Sequence, residues 1–417
     1  MKFSYYALGC KVNQCEVRTM AALLETYGFE AVPFGEPADL CIINTCCVTG
    51  EGEAKSRRTV ARARRACPDG VLVVTGCSAQ QDSKALSSAD LVVPNAQKEH
   101  CVEWIVDLFR RRGVFLTANG EPTLWGEDRT RAVVKVQDGC RSFCSYCIIP
   151  YVRGDLRSRP LPEALSEVKT LAKQGFREVV LVGIHLTCYG KETPGSPQLI
   201  DLLEAVDAVE GIERVRISSI EPGYLSEAVV ERLSRLKKFC PHFHLSLQSG
   251  CDATLKRMNR PYTSRQYFEE VSRLRRAFPD MALTTDVMTG FPGETEEEFA
   301  QSVAFLEKCA FAKVHVFPYS ERPGTRAAEM EQIPVPLRHE RCRKLIALAE
   351  DWQKKFWTSQ LGRVWPVLLE SEKKGKIGGY TPNYIPVSLP AAAGKANEIV
   401  SVRLTQVTEQ GMEGEVC

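Results

Sequence analysis

Short apolar runs alternate with amphipathic segments over the first 112 residues of the chain. The strand-like runs are Phe3–Leu8, Leu40–Asn44, Val71–Thr75 and Leu91–Val93. After the first run, apolar residues recur at the spacing of one helix face, at Met20, Leu23, Leu24 and Tyr27. This alternation of strands and helices predicts a parallel sheet with helices on both faces.

A second alternating series begins at Ala132. Its strand-like runs are Ala132–Gln137, Glu178–Val182, Arg214–Ser218, Phe243–Leu247, Ala282–Val287 and Lys313–Phe317. Helix-like segments follow the strands, for example Pro162–Gln174 and Glu294–Lys308. Six β–α units are too few for a closed eight-stranded barrel. The pattern therefore predicts an open, partial (β/α)6 barrel with its functional loops at the C-terminal ends of the strands.

The end of the chain has a different pattern. A helix-like segment, Pro336–Leu361, leads into short β-branched runs separated by Gly and Pro, which predict a small all-β barrel. We therefore predict an α/β protein whose parts are a parallel-sheet domain (1–112), a linker (113–130), the partial barrel (131–358) and the small barrel (359–417).

The composition is that of a folded protein, with 44% hydrophobic and 25% charged residues. No apolar run has the roughly 18–20 residues of a membrane span. The N-terminus, MKFSYYALGCKVNQ, lacks the apolar stretch of a signal peptide. We expect a cytoplasmic protein that binds no membrane. A net charge of +2 gives no global argument for nucleic acid, which must rest on local patches.

Seventeen cysteines are the exception in this composition, and in a reducing compartment clustered cysteines favour metal binding or catalysis. Cys140, Cys144 and Cys147, the loop triplet, follow the first strand of the second series in GCRSFCSYC. Three thiolates on one loop can hold a cubane iron–sulfur cluster and leave its fourth iron open for chemistry. The alternative is buried thiols or structural zinc, which has four protein ligands, although the nearest His or Cys is distant, at His185 or Cys188.

Cys10, Cys46 and Cys77, the sheet-edge triplet, each follow one of the first three predicted strands. Because parallel strands end at one edge of a sheet, these cysteines are predicted to converge. Buried cysteine is common and remains an alternative. Cys47 is predicted to point away, since neighbours on an extended chain face opposite sides. Small buried or surface thiols are predicted for Cys15, Cys41, Cys67 and Cys101.

Several further segments occur in a specific order. They are RGDLRSRP (Arg153–Pro160), SSIEP (Ser218–Pro222), HLSLQSGCD (His244–Asp252), RMNRPYT (Arg257–Thr263), TDVMTGFPGET (Thr285–Thr295) and FPYSERPGT (Phe317–Thr325). With both triplets and the small β module, the chain resembles the radical S-adenosylmethionine (SAM) methylthiotransferase family over essentially its whole length. LGCKVNQ, VGIHLTCYG and VFPYSERPGT are most similar to the branch that acts on threonylcarbamoyl-adenosine in tRNA. Branches acting on isopentenyl-adenosine in tRNA or on a ribosomal protein side chain are the alternatives.

The resemblance implies a transferase with two [4Fe-4S] clusters. The cluster on the loop triplet would cleave one SAM to a 5′-deoxyadenosyl radical. The cluster on the sheet-edge triplet would carry or supply sulfur, which a second SAM methylates. The implied partners are SAM, the tRNA anticodon stem-loop and an electron donor such as flavodoxin or ferredoxin. We expect a monomer, and no catalytic residue beyond the cluster ligands.

Contacts with SAM or substrate are predicted for Tyr146, Gly183, Ser218, Gln248 and Asp286. Tyr146 would lie against adenine, with packing of its own loop as the alternative. Gly183 would admit the SAM amino group, and the other three would end strands at the barrel mouth. No partner is identifiable for the residues His185, His244 and His315, for which structural roles are predicted.

Two features bear on RNA binding. A predicted helix after the Cys46 loop carries Lys55, Arg57, Arg58, Arg62, Arg64 and Arg65. These cations either contact phosphates or form a solvated face. The C-terminal module resembles the RNA-binding TRAM β-barrel, but Gly362–Cys417 has six Lys/Arg and six Glu. Tyr380, Asn383 and Tyr384 are therefore predicted to stack on bases, with barrel core as the alternative for a tyrosine. A non-catalytic RNA-binding protein with structural metal is the rival class.

Overall fold

The computed structural model describes residues 1–82, 86–120, 122 and 130–417. Most of the central part of the predicted linker, residues 121 and 123–129, lies outside the described residues. The chain divides into two compact units. The first is Met1–Gly126 with Asp138–Arg157 and Ser320–Ala328, and the second is Glu127–Gln137 with Ser158–Tyr319 and Glu329–Cys417. The division by sequence into 1–112, 131–358 and 359–417 stays a prediction.

The first unit is built on a five-stranded sheet with the order β2-β1-β3-β4-β5. The strands are β1 (Lys2–Ala7), β2 (Glu30–Ala31), β3 (Leu40–Thr45), β4 (Val71–Gly76) and β5 (Leu91–Pro94). The helices are α1 (Lys11–Thr26), α2 (Gly50–Ala66), α3 (Cys77–Gln81), α4 (Cys101–Arg111) and α5 (Ile149–Arg153). Each neighbouring pair of strands is parallel, as predicted.

Both faces of this sheet are covered, because successive residues of a strand face opposite sides. In β3, Leu40 and Ile42 belong to a core with α1 and α4, whereas Cys41 and Ile43 belong to a second core with α2. Leu23, predicted to lie on the buried stripe of α1, is 37% exposed. Full burial of each such aliphatic side chain stabilises the unit by roughly 1.5–3 kcal/mol.

The second unit contains eight strands before its C-terminal barrel. They are β6 (Arg131–Lys135), β7 (Gln137–Asp138), β8 (Arg157–Ser158), β9 (Glu178–Val182), β10 (Arg214–Ile217), β11 (His242–His244), β12 (Ala282–Thr289) and β13 (Lys313–Pro318). Six of them follow sequence order in two three-stranded parallel sheets, β6-β9-β10 and β11-β12-β13. Single bridges, Val215 with Phe239 and Ile220 with Leu245, connect the two sheets. The predicted partial (β/α)6 arrangement is confirmed, although its sheet is interrupted at β11.

Helices separate these strands. They are α6 (Leu161–Lys173), α7 (Leu199–Asp207), α8 (Glu227–Ser234), α9 (Asp252–Arg257), α10 (Ser264–Ala277), α11 (Glu296–Cys309) and α12 (Val335–Thr358). Two begin with reciprocal capping boxes, Thr263 with Gln266 and Thr295 with Glu298, which satisfy the free N–H groups of the first turn. No helix in the described part of the chain is long and apolar enough to cross a membrane.

The C-terminal strands close into a barrel with the order β14-β15-β16-β18-β17. They are β14 (Val364–Lys373), β15 (Lys376–Tyr380), β16 (Pro386–Pro390), β17 (Ile399–Val407) and β18 (Met412–Val416). The predicted all-β module is therefore confirmed. Sequence analysis missed β18, because its segment, MEGEV, contains one β-branched residue.

A buried ion-pair cluster lies beside this barrel in the second unit. Glu178 is fully buried and accepts a 2.9 Å hydrogen bond from Arg216, which is 2% exposed. Arg214 donates to the carbonyl oxygens of Tyr380 (2.8 Å) and Pro366 (2.6 Å). These charges are held by partners on both sides, so the cluster fixes β10 against the barrel.

Replacing this glutamate is expected to destabilise the protein. Glu178→Gln leaves the buried guanidinium of Arg216 without its counter-charge, which costs about 3–5 kcal/mol. Glu213→Gln is the control, because it breaks an exposed pair with Arg177 and should cost at most about 1 kcal/mol. Urea unfolding monitored by far-UV circular dichroism measures both, and equal midpoints would contradict the expectation.

Candidate metal centres

The sheet-edge triplet lies where sequence analysis placed it, after three adjacent strands. Cys10 immediately precedes α1, Cys46 follows β3, and Cys77 begins α3 directly after β4. The C-terminal edge of a parallel sheet is where ligands bind. Helix N-termini at Cys10 and Cys77 favour anionic thiolates at this edge.

The position of Cys46 is fixed by hydrogen bonds and by one glycine. Its N–H donates to the Ser56 hydroxyl (3.0 Å), and its carbonyl accepts from Ser56 (2.9 Å) and Ser78 (3.0 Å). Gly9 has a φ of +84°, and a Cβ added there would lie 2.7 Å from the Cys46 sulfur. A glycine before Cys10 is therefore required for the strand ends to approach.

The prediction that Cys47 points away from this site is wrong. Its thiol is hydrogen-bonded to Cys77, and both residues pack with Ile148 and Val152. The alternation of side chains applies within an extended strand, but β3 ends at Thr45, before the cysteine pair. Four thiols, rather than three, therefore gather at the sheet edge.

The charge environment of these thiols is mixed. Burial raises the pKa of Cys46 to about 11, while the Arg153 guanidinium acts in the opposite direction. Burial also raises the pKa of Cys10, because protein surrounds its sulfur although the residue as a whole is exposed. The hydrogen bond from Cys47 lowers the pKa of Cys77. Arg153 favours the thiolate at all three positions of the triplet.

Asn13 connects the strand ends that carry Cys10 and Cys46. Its side-chain N–H₂ donates to the carbonyl oxygens of Leu8 (2.8 Å) and Thr45 (3.0 Å). The side chain of Asn44 donates to the Asn13 carbonyl at 2.9 Å. Asn13 is fully buried, so these bonds are shielded from water. Sequence analysis assigned no role to this residue of LGCKVNQ.

Arg153 joins this arrangement from the segment that follows the loop triplet. Its Nη1 donates to Glu16 (3.0 Å) and Asp138 (2.9 Å), and its Nη2 donates to Asn13. Lys98 donates to Glu16 at 2.6 Å. Sequence analysis missed this buried network, because residues 13, 16, 98 and 153 are far apart in the chain.

The loop triplet also belongs to the first compact unit. The Cys140 N–H donates to the Gly154 carbonyl (3.1 Å), and the Cys140 sulfur accepts from the Ser142 N–H (3.4 Å). Gly139 has a φ of +74°, and a Cβ there would collide with the Asp155 carbonyl oxygen at 1.8 Å. Cys144 is buried, while Cys140 and Cys147 are half-buried and retain access to the surface.

The donor sets fit a multi-iron cluster better than one ion. Among the described residues, no three His, Cys, Asp or Glu side chains converge closely enough to hold a single metal ion. A cubane spreads its three thiolate ligands over different irons, so they need not meet at one point. A tetrahedral zinc site requires such convergence of four ligands.

Of the five predicted SAM contacts, Tyr146 lies half-buried in a turn of the first unit, and the others lie in the second. Gly183 closely approaches the Gln137 side chain, whose oxygen accepts from the His185 N–H at 2.7 Å. Ser218 Oγ and Gln248 Oε1 are buried without a hydrogen-bond partner among the described residues. Such atoms are the expected signature of a polar ligand site.

Asp286 lies inside β12 rather than at its end, because this strand continues to Thr289. Its carboxylate lies 3.2 Å from His244 Nε2, while His244 Nδ1 lies 2.9 Å from the Thr284 hydroxyl. The ring of His315 is 5.8 Å from that of His244. Sequence analysis found no partner for His244, because these contacts join different strands.

The basic residues of α2 separate into two groups. Arg64 donates to Asp90 and to the Gly70 carbonyl (2.9 Å), and Arg57 pairs with Glu53 at 2.7 Å. Within the described part of the chain, exposed cations without such a pair include Lys55, Arg58 and Arg65. The helix therefore offers a smaller basic surface than its sequence indicates.

The residues predicted to stack on bases are engaged within the second unit. Tyr384 accepts a 2.7 Å hydrogen bond from Arg131, and its ring lies beneath Arg216 and against Tyr380. The Asn383 side chain donates to the Asp280 carbonyl at 3.0 Å. The alternative of structural packing describes these residues, because their polar atoms and ring faces already have protein partners.

Comparisons with known proteins define the class. Residues 134–306 match the Radical SAM superfamily, and residues 2–94 match the Uncharacterized protein family UPF0004. Threonylcarbamoyladenosine tRNA methylthiotransferase MtaB of Bacillus subtilis (strain 168) is 38% identical, covering 99% of this chain and 95% of that protein. The protein of the same name from Chlamydia pneumoniae is 40% identical, covering 99% and 98%. The protein is a radical SAM enzyme. Within that class, the chain belongs to the tRNA methylthiotransferase family.

Two further comparisons concern a second branch and the fold. A tRNA-2-methylthio-N(6)-dimethylallyladenosine synthase of Syntrophotalea carbinolica is 34% identical over 99% of both chains. The radical SAM methyltransferase TsrM from Kitasatospora setae, with cobalamin and a [4Fe-4S] cluster bound, has a TM-score of 0.57 at 15% identity and covers 78% of this chain and 74% of its own. This likeness confirms the fold, and the family confirms the use of SAM and iron–sulfur clusters.

Proposed function

We propose that this chain methylthiolates C2 of the threonylcarbamoyl-adenosine next to the anticodon of tRNA. The full-length similarity to the B. subtilis threonylcarbamoyladenosine tRNA methylthiotransferase carries this proposal. The two cysteine triplets supply the separate ligand sets that the reaction needs. Isopentenyl-adenosine is the second candidate substrate, favoured by the 34% identity to the S. carbinolica protein.

In this proposal each triplet holds one [4Fe-4S] cluster. When bound, the clusters supply the electron that cleaves one SAM and the sulfur that a second SAM methylates. The loop triplet leaves its fourth iron position to SAM, and the sheet-edge triplet holds the sulfur-presenting cluster. The geometry of Gly9, Asn13 and Ser56 supports the second assignment, because each of them fixes the approach of Cys46 to the strand edge.

The five predicted SAM contacts are part of the proposal. Tyr146 lies in the loop triplet, and Gly183 follows β9. The orphaned polar atoms of Ser218 and Gln248 support a ligand there, because buried groups of this kind are usually satisfied. Asp286 would contact SAM or substrate through the carboxylate that faces His244.

We infer a monomer in the cytoplasm, where its tRNA substrate is found. An electron donor such as flavodoxin or ferredoxin would reduce the loop-triplet cluster. The C-terminal barrel is a TRAM-like RNA-binding module in this proposal. Because its tyrosines are engaged with Arg131 and Arg216, RNA would contact other faces of the barrel.

The basic surface of α2 is expected to contribute to tRNA binding. Replacing Lys55, Arg58 and Arg65 with Gln removes three exposed cations, which should weaken binding and flatten the log–log salt dependence by about one per lost phosphate contact. The control replaces Arg110, Arg111 and Arg112 at the end of α4, which lose the same charge. Filter binding between low and moderate salt measures the slopes. Equal slopes in both variants would show that α2 is a solvated face.

The substrate is tested with tRNA carrying either modification. Anaerobically reconstituted protein is incubated with SAM, reductant and tRNA bearing threonylcarbamoyl-adenosine or isopentenyl-adenosine, and nucleosides are analysed by mass spectrometry. We expect the methylthio product from the first tRNA alone. Product from the second alone would assign the other branch, and no product from either would contradict the proposal.

A further inference from the structure

Arg153 is the charged residue that links the two cysteine triplets. It lies at the end of α5, six residues after Cys147, and is 3% exposed. Its guanidinium donates to Asn13 and Glu16, both on the first turns of the helix that follows Cys10. One side chain therefore fixes the segment of the loop triplet against the helix of the sheet-edge triplet.

The neighbourhood of Arg153 is also in contact with Cys77. Asn95 donates from one side-chain nitrogen to the Cys77 sulfur (3.5 Å) and to the carbonyl of Val152 (2.9 Å). Val152 and Ile148 pack directly against Cys77 and Cys47. On the other side, Asn13 Nδ2 lies close to Gly9, which in turn meets the Cys46 sulfur. Arg153 is thus within two residue contacts of each thiol of the triplet.

One N–H of this guanidinium has no partner. Nη1 and Nη2 donate to carboxylate and amide oxygens, but Nε is buried with no acceptor among the described residues. A buried N–H without an acceptor costs about 1–3 kcal/mol. Such a group in a native site indicates a missing ion or ligand.

The positive charge itself is more than its partners need. Glu16 retains Lys98 at 2.6 Å, and Asp138 lies 3.6 Å from Arg157, so each acid has a second cation. Burying a further guanidinium is expensive unless something else uses its charge. A cluster with three thiolate ligands is an anion, and reduction makes it more negative.

We propose that Arg153 is a hydrogen-bond donor and counter-charge for the cluster held by Cys10, Cys46 and Cys77, and that it sets the reduction potential of that cluster. This inference rests on the proposed assignment of a cluster to these cysteines. Hydrogen bonds to cluster sulfurs and nearby charge are among the factors that determine such potentials. A cation stabilises the reduced form, so its removal makes the cluster harder to reduce.

The test uses the full chain with Cys140, Cys144 and Cys147 replaced by Ala, so that one cluster remains. In this background we compare Arg153, R153K and R153Q by redox titration with electron paramagnetic resonance of the reduced cluster. We expect a shift to more negative potential in R153Q and a smaller shift of the same sign in R153K. R153K keeps the charge but loses the Nε donor.

The matched control is R341K in the second unit. Arg341 is also 3% exposed, pairs with Glu294 at 2.7 Å and has a buried Nε without a partner. It should leave the potential unchanged. Unchanged potentials in both Arg153 variants, or an equal shift in R341K, would overturn the proposal. If R153Q does not fold, R153K decides alone, with a negative shift as support and no shift as refutation.

Failure of the underlying assignment is a different result. If the background protein with Arg153 intact binds no iron and sulfide, the cluster assignment itself is wrong before any arginine variant is compared. If it binds a cluster whose potential ignores Arg153, the proposed function stands and this inference does not.

Discussion

Cys46→Ala should still cleave SAM reductively to 5′-deoxyadenosine, yet form no methylthio product. The two triplets are separate ligand sets, so loss of one sheet-edge thiolate leaves Cys140, Cys144 and Cys147 intact. Both triplets belong to the same compact unit, so the expectation depends on distinct ligands rather than on distinct domains. Liquid chromatography of 5′-deoxyadenosine and mass spectrometry of nucleosides measure the two outcomes on one sample.

Cys47→Ala is the matched control for this variant. Cys47 is fully buried, one residue further along the same loop, and its thiol meets Cys77. It should retain methylthio product if Cys46 is the ligand. An inactive Cys47→Ala together with an active Cys46→Ala would show that the ligand assignment at this edge is wrong.

Cys140→Ala should reduce SAM cleavage to background. The variant removes one of three thiolates on a single loop, and two are insufficient to hold a cubane with one open iron. Cys342→Ala is the control, because it removes a buried thiol from α12 in the second unit. Formation of 5′-deoxyadenosine at the wild-type rate by Cys140→Ala would contradict the assignment of the loop triplet.

The sequence predicted those parts of the molecule that depend on local pattern. The strands of the first sheet are dense in Val and Ile, and their ends are marked by Gly or Cys, so the edge that carries Cys10, Cys46 and Cys77 was accessible from hydrophobic patterning. The partial barrel followed in the same way. The closed C-terminal barrel was predicted without β18, whose segment has a weak strand signal.

Contacts between distant segments were beyond this reasoning. Arg153 and Glu16 are separated by 137 positions, and no periodicity relates them. Likewise, Tyr384 has its partners in Arg131 and Arg216, so its side chain is engaged in the fold instead of presented to RNA. The direction of Cys47 depended on where β3 ends, and one residue decides which face a side chain takes.

Iron and acid-labile sulfide analysis of three anaerobically reconstituted proteins tests the central claim most directly. The proteins are the wild type, the variant with Cys10, Cys46 and Cys77 replaced by Ala, and the variant with Cys140, Cys144 and Cys147 replaced by Ala. Two independent cubanes predict about eight irons in the wild type and about four in each variant, with matching sulfide. About four irons in the wild type with none in one variant, or zinc without sulfide, would contradict two clusters on these six cysteines.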